Sequence, residues 1–281
     1  MCGIVGSACA PRESREWISN ATLALKHRGP DDNGWVQIDD ISLGMTRLAI
    51  VDLEGGVQPF ISLDNRYSLV FNGQIYNFRK LRTQLENLGY KFRSASDTEV
   101  ILHAYIQYRE QVVEHLEGMF AFAIWDSLEK TLFIARDKFG EKPLSFAHLP
   151  NGGIVFSSEI KALLSHPDVS KNPDIDSIQL MLNFGYVPSP RSAFEDIKKL
   201  PPAHFLIWRN KSFTMTKYWE PPTAPRAHRL AIAKVRARAA LNKRCARVQR
   251  WPMAGSTFKP LGVAKRPRFA NQWQPTHPCD S

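Results

Sequence analysis

Long apolar runs are missing from this sequence: no window approaches the ~18 uninterrupted apolar residues of a membrane span, so no membrane role is expected. Paired cysteines are missing too. Cys2, Cys9, Cys245 and Cys279 are scattered, with no Cys-x-x-Cys among them. That argues against a disulfide framework or a metal site and fits a reducing cytoplasm. The start, Met1-Cys2-Gly3-Ile4-Val5-Gly6, lacks a basic stretch ahead of an apolar one and does not read as a secretory signal. Acids are nearly absent from the last sixty residues. From Pro222 to Ser281 there are 13 Lys/Arg and one acid, Asp280, a net +12. Residues 1–221 hold 24 basic and 26 acidic side chains, a net −2, so the formal +10 of the whole chain belongs to the tail. The body is an ordinary near-neutral globular protein, and the high isoelectric point says nothing about its partners.

What is present is enough apolar material, 43% of 281 residues, for one large core or two modest ones. Ile4 to Cys9 reads as a first strand. Trp17, Ile18, Ala21 and Leu25 recur at helical spacing before a break at Gly29-Pro30. Ser68–Phe71 and Gln74–Tyr76 flank Asn72-Gly73, a strong hairpin signal. Leu81, Leu85 and Leu88 form a helical stripe, with Gly89 where a C-cap belongs. Ser96-Asp97-Thr98-Glu99 has capping-box spacing and opens a helix whose buried face is Val100, Ile101, Ala104, Tyr105 and Tyr108. Met119–Trp125 and Thr131–Ala135 read as strands joined by the turn 126–130. Leu144–Ala147 and Ile154–Ser157 form a hairpin around Asn151-Gly152-Gly153. Helices follow near 158–165 and 175–183. Antiparallel hairpins with separate groups of helices indicate an α+β fold. After residue 220 the character changes: five prolines beyond Ala240 and unpatterned bulky residues argue against a packed domain, although Ala227–Ala240 could form a short basic helix.

Cys2 is the first candidate for chemistry. If Met1 is removed, the chain begins with a cysteine that carries its own base. The α-amine, with an ordinary pKa of ~8, can take the thiol proton and later give it to a leaving amine. Position alone also allows an inert small residue near the terminus. Asn72-Gly73 can make a tight turn or offer donors to an oxyanion, and a turn that exposes a backbone N–H would do both.

The ordered set Met1–Gly6, His27-Arg28-Gly29-Pro30-Asp31-Asp32, Arg47–Asp52, Phe71-Asn72-Gly73-Gln74-Ile75-Tyr76-Asn77 and Ser96–Glu99 resembles the class II glutamine amidotransferases. These are N-terminal-nucleophile hydrolases. Ala135–Leu144, Phe184–Pro188, Lys199–Pro202 and Tyr218-Trp219 narrow the likeness to the glutaminase half of asparagine synthetases. The resemblance spans about residues 1–220 and implies a four-layer αββα sandwich of antiparallel sheets, with L-glutamine as substrate. It implies Cys2 as nucleophile and Asn72 and Gly73 as the oxyanion hole. Arg47 would hold the substrate carboxylate, a role its planar guanidinium suits. The backbone of Leu48, Ala49, Ile50 and Val51 would line the pocket, with Gln74 and Asp97 facing the substrate ammonium. Arg28 and Gly29 would order the loop over Cys2. The glutaminase step calls for no cofactor or metal.

Two departures from the family pattern stand out. Gln74 occupies a position where the family usually has Glu, which leaves Asp97 as the anionic contact. The Ser-Gly-Gly-x-Asp-Ser phosphate loop that opens the family's synthetase domain is missing after Trp219, so a site for ATP and magnesium is expected only with that domain, separate or lost. Residues 221–281 are expected to be a disordered or aberrant basic tail, as an out-of-frame read would produce. Other readings are a non-catalytic scaffold of the same fold and a polyanion binder acting through the tail. Nucleic acid is disfavoured as a partner, and a homodimer is compatible with the sequence.

Overall fold

The residues described in this computed structural model are 1–8, 14–49, 52 and 56–222, and they alternate strands with helices. The expectations for Cys9, Cys245, Cys279 and the tail lie outside them. In chain order the elements are β1 (Gly3–Ala8), α1 (Ser14–Ala24), β2 (Asp32–Ile38), β3 (Ile41–Arg47), β4 (Phe60–Ile61), β5 (Tyr67–Ile75), α2 (Phe78–Asn87), α3 (Asp97–Tyr108), α4 (Val112–His115), β6 (Gly118–Asp126), β7 (Thr131–Arg136), β8 (Ser145–His148), β9 (Ile154–Ser157), α5 (Ile160–Leu163), α6 (Ile175–Phe184), β10 (Ile197–Lys199), β11 (His204–Arg209) and β12 (Ser212–Lys217).

The strands make two six-stranded sheets, ordered β10-β8-β9-β1-β3-β2 and β12-β11-β7-β6-β5-β4. The pairings are antiparallel. Period-two alternation decides which side chains meet between the sheets. Ile4, Phe146, Ile154 and Phe156 of the first sheet point inward against Val70, Ala123, Ile134 and Leu206 of the second. Their neighbours Val5, Ala147 and Val155 point outward, onto Trp17, Ile18 and Ala21 of α1 and Ala162 and Leu163 of α5. On the far side of the second sheet, Tyr105 of α3 packs on Phe133, which in turn meets Phe122 and Phe205. The order helix, sheet, sheet, helix is the four-layer αββα sandwich expected above.

Most predicted elements are present, within a residue or two of their limits. The capping box opens α3 as anticipated, with Ser96 Oγ accepting from the Glu99 N–H. The Glu99 carboxylate, however, reaches back to the N–H groups of Arg93 and Ser94 and to the Ser94 hydroxyl. Leu88, grouped with Leu81 and Leu85 in one helical stripe by its spacing, caps the end of α2 and is 57% exposed, whereas Leu81 and Leu85 are buried.

The Asn72-Gly73 hairpin is overturned. β5 runs straight through the dipeptide, and all nine of its residues pair with β6, Asn72 opposite Ala121 and Gly73 opposite Phe120. The glycine serves close approach instead of a turn. A Cβ at Gly73 would lie 2.2 Å from the Met119 carbonyl oxygen and 2.7 Å from the Phe120 Cα.

Candidate active site

β1 ends its N-terminal side at Cys2, beside the last residues of β3. The Cys2 thiol lies against the Leu48 backbone, accepting from its N–H at 3.4 Å with the Leu48 carbonyl oxygen 3.7 Å away. Residues 28–31 brace this corner. Arg28 Nε donates to the Cys2 carbonyl at 3.0 Å, and its Nη1 pairs with Glu159 at 2.9 Å, which ties the start of β1 to the segment after β9. Gly29 lies on the backbone of β3, where a Cβ would meet the Arg47 nitrogen at 2.5 Å. The Asp31 N–H donates to the Arg47 carbonyl, and the Asp31 carboxylate accepts from the Ala49 N–H at 2.9 Å. The His-Arg-Gly-Pro-Asp stretch thereby fixes the loop on which the thiol rests.

The second wall is the C-terminal half of β5. β4 pairs only with Ser68 and Leu69, so the edge beyond is open to side chains. The Phe71 N–H donates to Gln58 Oε1 at 2.7 Å, and the Ile75 N–H donates to Asp97 Oδ2 at 3.0 Å. Strand alternation turns the Gly73 N–H, midway between them, to the same edge. Asn72 is 1% exposed, and its Nδ2 has no hydrogen-bond partner among the described residues. Such orphaned buried donors are uncommon and costly.

Asp97 sits in the first turn of α3, buried. Burial pushes its carboxyl up to about 6, against the backbone N–H groups of Ile75, Asp97 and Thr98, which favour the ionised form. Arg47, also buried, donates through Nη2 to the Asp52 carbonyl at 2.5 Å. Cys2, Arg47, Leu48, Asn72, Gly73, Gln74 and Asp97 thus line one pocket of about 110 Å³. Ala49 adjoins it through the Asp31 bond. Ile50 and Val51 lie outside the described residues.

The pocket also holds residues that sequence reasoning missed. Gln58 carries the Phe71 contact and donates to Thr98 at 3.2 Å. Met1 and Lys142 close the pocket on the Cys2 side, Lys142 Nζ being 3.2 Å from Met1 Sδ. Lys142 lies inside the Ala135–Leu144 motif, but nothing local distinguishes it there from a solvated lysine. The same motif holds buried Asp137, which accepts from the N–H groups of Phe120, Phe139, Glu141 and Lys142 and so folds the loop that brings Lys142 inward. No group of three or more metal-binding side chains occurs among the described residues.

Residues 1–219 match the family described as the glutamine amidotransferase domain. The chain is 37% identical over 225 residues to the protein named "Asparagine synthetase [glutamine-hydrolyzing] 3" of Bacillus subtilis, covering 78% of this chain and 36% of that one. It is likewise 37% identical, over 229 residues, to asparagine synthetase [glutamine-hydrolyzing] 1 of the same organism, covering 78% and 35%. It therefore spans about a third of the length of these relatives. Among solved structures, glutamine phosphoribosylpyrophosphate amidotransferase from B. subtilis superimposes with a TM-score of 0.57 at 21% identity, over 78% of this chain and 50% of that one. At that identity the likeness is one of fold.

Proposed function

The chain belongs to the glutamine amidotransferase domain family, and on that premise we propose that it hydrolyses the side-chain amide of L-glutamine through a Cys2 thioester. Loss of Met1 makes Cys2 the N-terminal residue. Its α-amine takes the thiol proton, and the sulfur attacks the amide carbon. The tetrahedral oxyanion accepts hydrogen bonds from Asn72 Nδ2 and the Gly73 N–H. Collapse of the adduct breaks the C–N bond, with the α-amine returning its proton to the departing ammonia. Water then attacks the glutamyl thioester and releases glutamate and the free thiol. Arg47 receives the substrate α-carboxylate, and Asp97 receives the α-ammonium, with a neutral contact from the Gln74 side-chain oxygen. The backbone of residues 48–51 lines the substrate.

The observation that carries this reading is the orphaned Asn72 amide, buried in the same pocket as the Cys2 thiol. A donor held there without a partner suits an oxyanion that exists only during reaction, and such donors are typically worth ~3–4 kcal/mol of barrier. Asparagine synthesis, which the names of the B. subtilis relatives state for those proteins, is proposed only for a chain that carries the rest of their length. Glutamate and ammonia release by purified protein, with removal of Met1 established by mass spectrometry, is the direct test. Cys2→Ala is expected to abolish both products. A processed wild type that releases neither would leave the non-catalytic scaffold as the better reading.

A further inference from the structure

Lys142 brings a cation into the pocket wall without a carboxylate to pair with among the described residues. The residue is 5% exposed, and among the described residues its Nζ donates only to the Met1 thioether. Burying an ammonium without an anionic partner is costly, and folds normally avoid it. The neighbouring cations do have oxygen partners: Arg136 donates to the carbonyls of Gly140, Lys142 and Leu200, and Arg28 pairs with Glu159 through Nη1, although its buried Nη2 has no partner among the described residues. The one partner of Lys142 belongs to the residue that must leave before Cys2 can act. Once Met1 is gone, the ammonium is left facing the new N-terminus.

We propose that Lys142 is a positioning residue for the nucleophile: in the processed chain its cation faces the Cys2 α-amine and thiol, holds the resting amine in its neutral, proton-accepting form by like-charge repulsion, and stabilises the negative charge that develops on sulfur as the thiol proton moves to that amine. This rests on the glutaminase reading above. The thiol proton still passes to the α-amine and then to ammonia, and Lys142 keeps its own proton throughout. Other charges face the same corner. Arg28 acts in the same direction from the turn before β2, weakened by its pairing with Glu159, while Asp97 and Arg47 stand on the substrate side. Burial lowers the pKa of Lys142, with Arg28 adding to the effect, whereas Glu141, Asp137 and Cys2 act to raise it.

The test is the pH dependence of Cys2 alkylation by iodoacetamide in processed full-length protein without glutamine, read on the N-terminal peptide by mass spectrometry. Lys142→Met is expected to raise the alkylation midpoint by about one pH unit, and with it the acid limb of glutamine turnover, cutting kcat/KM near neutrality about tenfold. Lys142→Arg, which keeps the charge, should hold the midpoint within about 0.3 unit of wild type. Lys142→Gln gives the same readout should the Met variant not fold. An unmoved midpoint in both neutral variants would overturn the proposal. So would a raised KM with unshifted pH profiles, which would assign Lys142 to the substrate carboxylate. A wild type that alkylates normally but releases no glutamate would instead overturn the glutaminase reading, leaving the alkylation comparison to stand on its own.

Discussion

Asn72 Nδ2 is a buried donor with no acceptor among the described residues. An unmet buried donor costs about 1–3 kcal/mol, so the native state gains little from this amide. Asn72→Ala is therefore expected to lower kcat for glutamine by roughly 10²–10³-fold while Tm stays level or rises. Parallel falls in kcat and Tm would make Asn72 a packing residue. Asp97 poses the related question for charge. Burial pushes its carboxyl up to about 6, above the ordinary 3.8, so the fold favours the protonated form. Ionisation then costs stability progressively as pH rises from about 4 through 6, to a total on the order of 2–3 kcal/mol at pH 7. Asp97→Asn should recover much of that in thermal melts at pH 7. The same substitution removes the anion offered to the substrate ammonium. In a Cys2→Ala background, glutamine Kd measured by calorimetry is expected to weaken about tenfold per unit below pH 6 with Asp97 present. With Asn in its place, binding should be weaker and flat with pH. A pH-independent Kd with Asp97 intact would remove it from the substrate site.

At the scale of the element, β5 carries the site because of its edge. Phe71 and Ile75 give their N–H groups to Gln58 and Asp97, and Gly73 stands between them, so one strand supplies a donor and orients two neighbouring side chains. The other edge is committed to β6 along its whole length. The Gly73 position is accordingly intolerant of a side chain. Gly73→Ala puts a methyl 2.2 Å from the Met119 carbonyl and forces the two strands apart. The expected cost is roughly 1–3 kcal/mol in denaturant unfolding, accompanied by a loss of turnover larger than that destabilisation explains. Full activity with a lowered Tm would mean that β5 shifts without disturbing the donors. Asn-Gly suggested a hairpin because both residues tolerate the left-handed backbone of a tight turn. That preference is local, and nine-residue pairing with β6 overrides it.

For the whole molecule, the inter-sheet core and the site are parts of one layered unit. The thiol lies at one end of the first sheet, and Asn72 and Gly73 lie in the second. Residues 1–222, expressed alone after removal of Met1, are expected to fold cooperatively and to hydrolyse glutamine with kcat/KM within about twofold of the full chain. A loss beyond about tenfold would tie residues 223–281 to the site. The same pair of proteins tests the basic tail: salt-sensitive retention on a polyanion column should follow the longer chain only.

Much of this architecture was legible before folding. Strand and helix periodicity marked β1, α1, α3, β6, β7 and the β8–β9 hairpin, because period-two and period-3.6 patterns are imposed locally by what must be buried. The family resemblance carried by the ordered motifs marked Cys2, Arg47, Asn72, Gly73, Gln74 and Asp97, which the fold brings to one pocket. Tertiary structure alone decided three things. It made Asn72-Gly73 a strand, since pairing with β6 is a long-range choice. It raised the Asp97 carboxyl, since burial depends on what α3 packs against. And it turned Lys142 inward beside the N-terminus, some 140 residues away in sequence, because Asp137 folds the connecting loop around its own buried carboxylate. Residue type can nominate a nucleophile, but the field around it is set by charges that only the fold brings near.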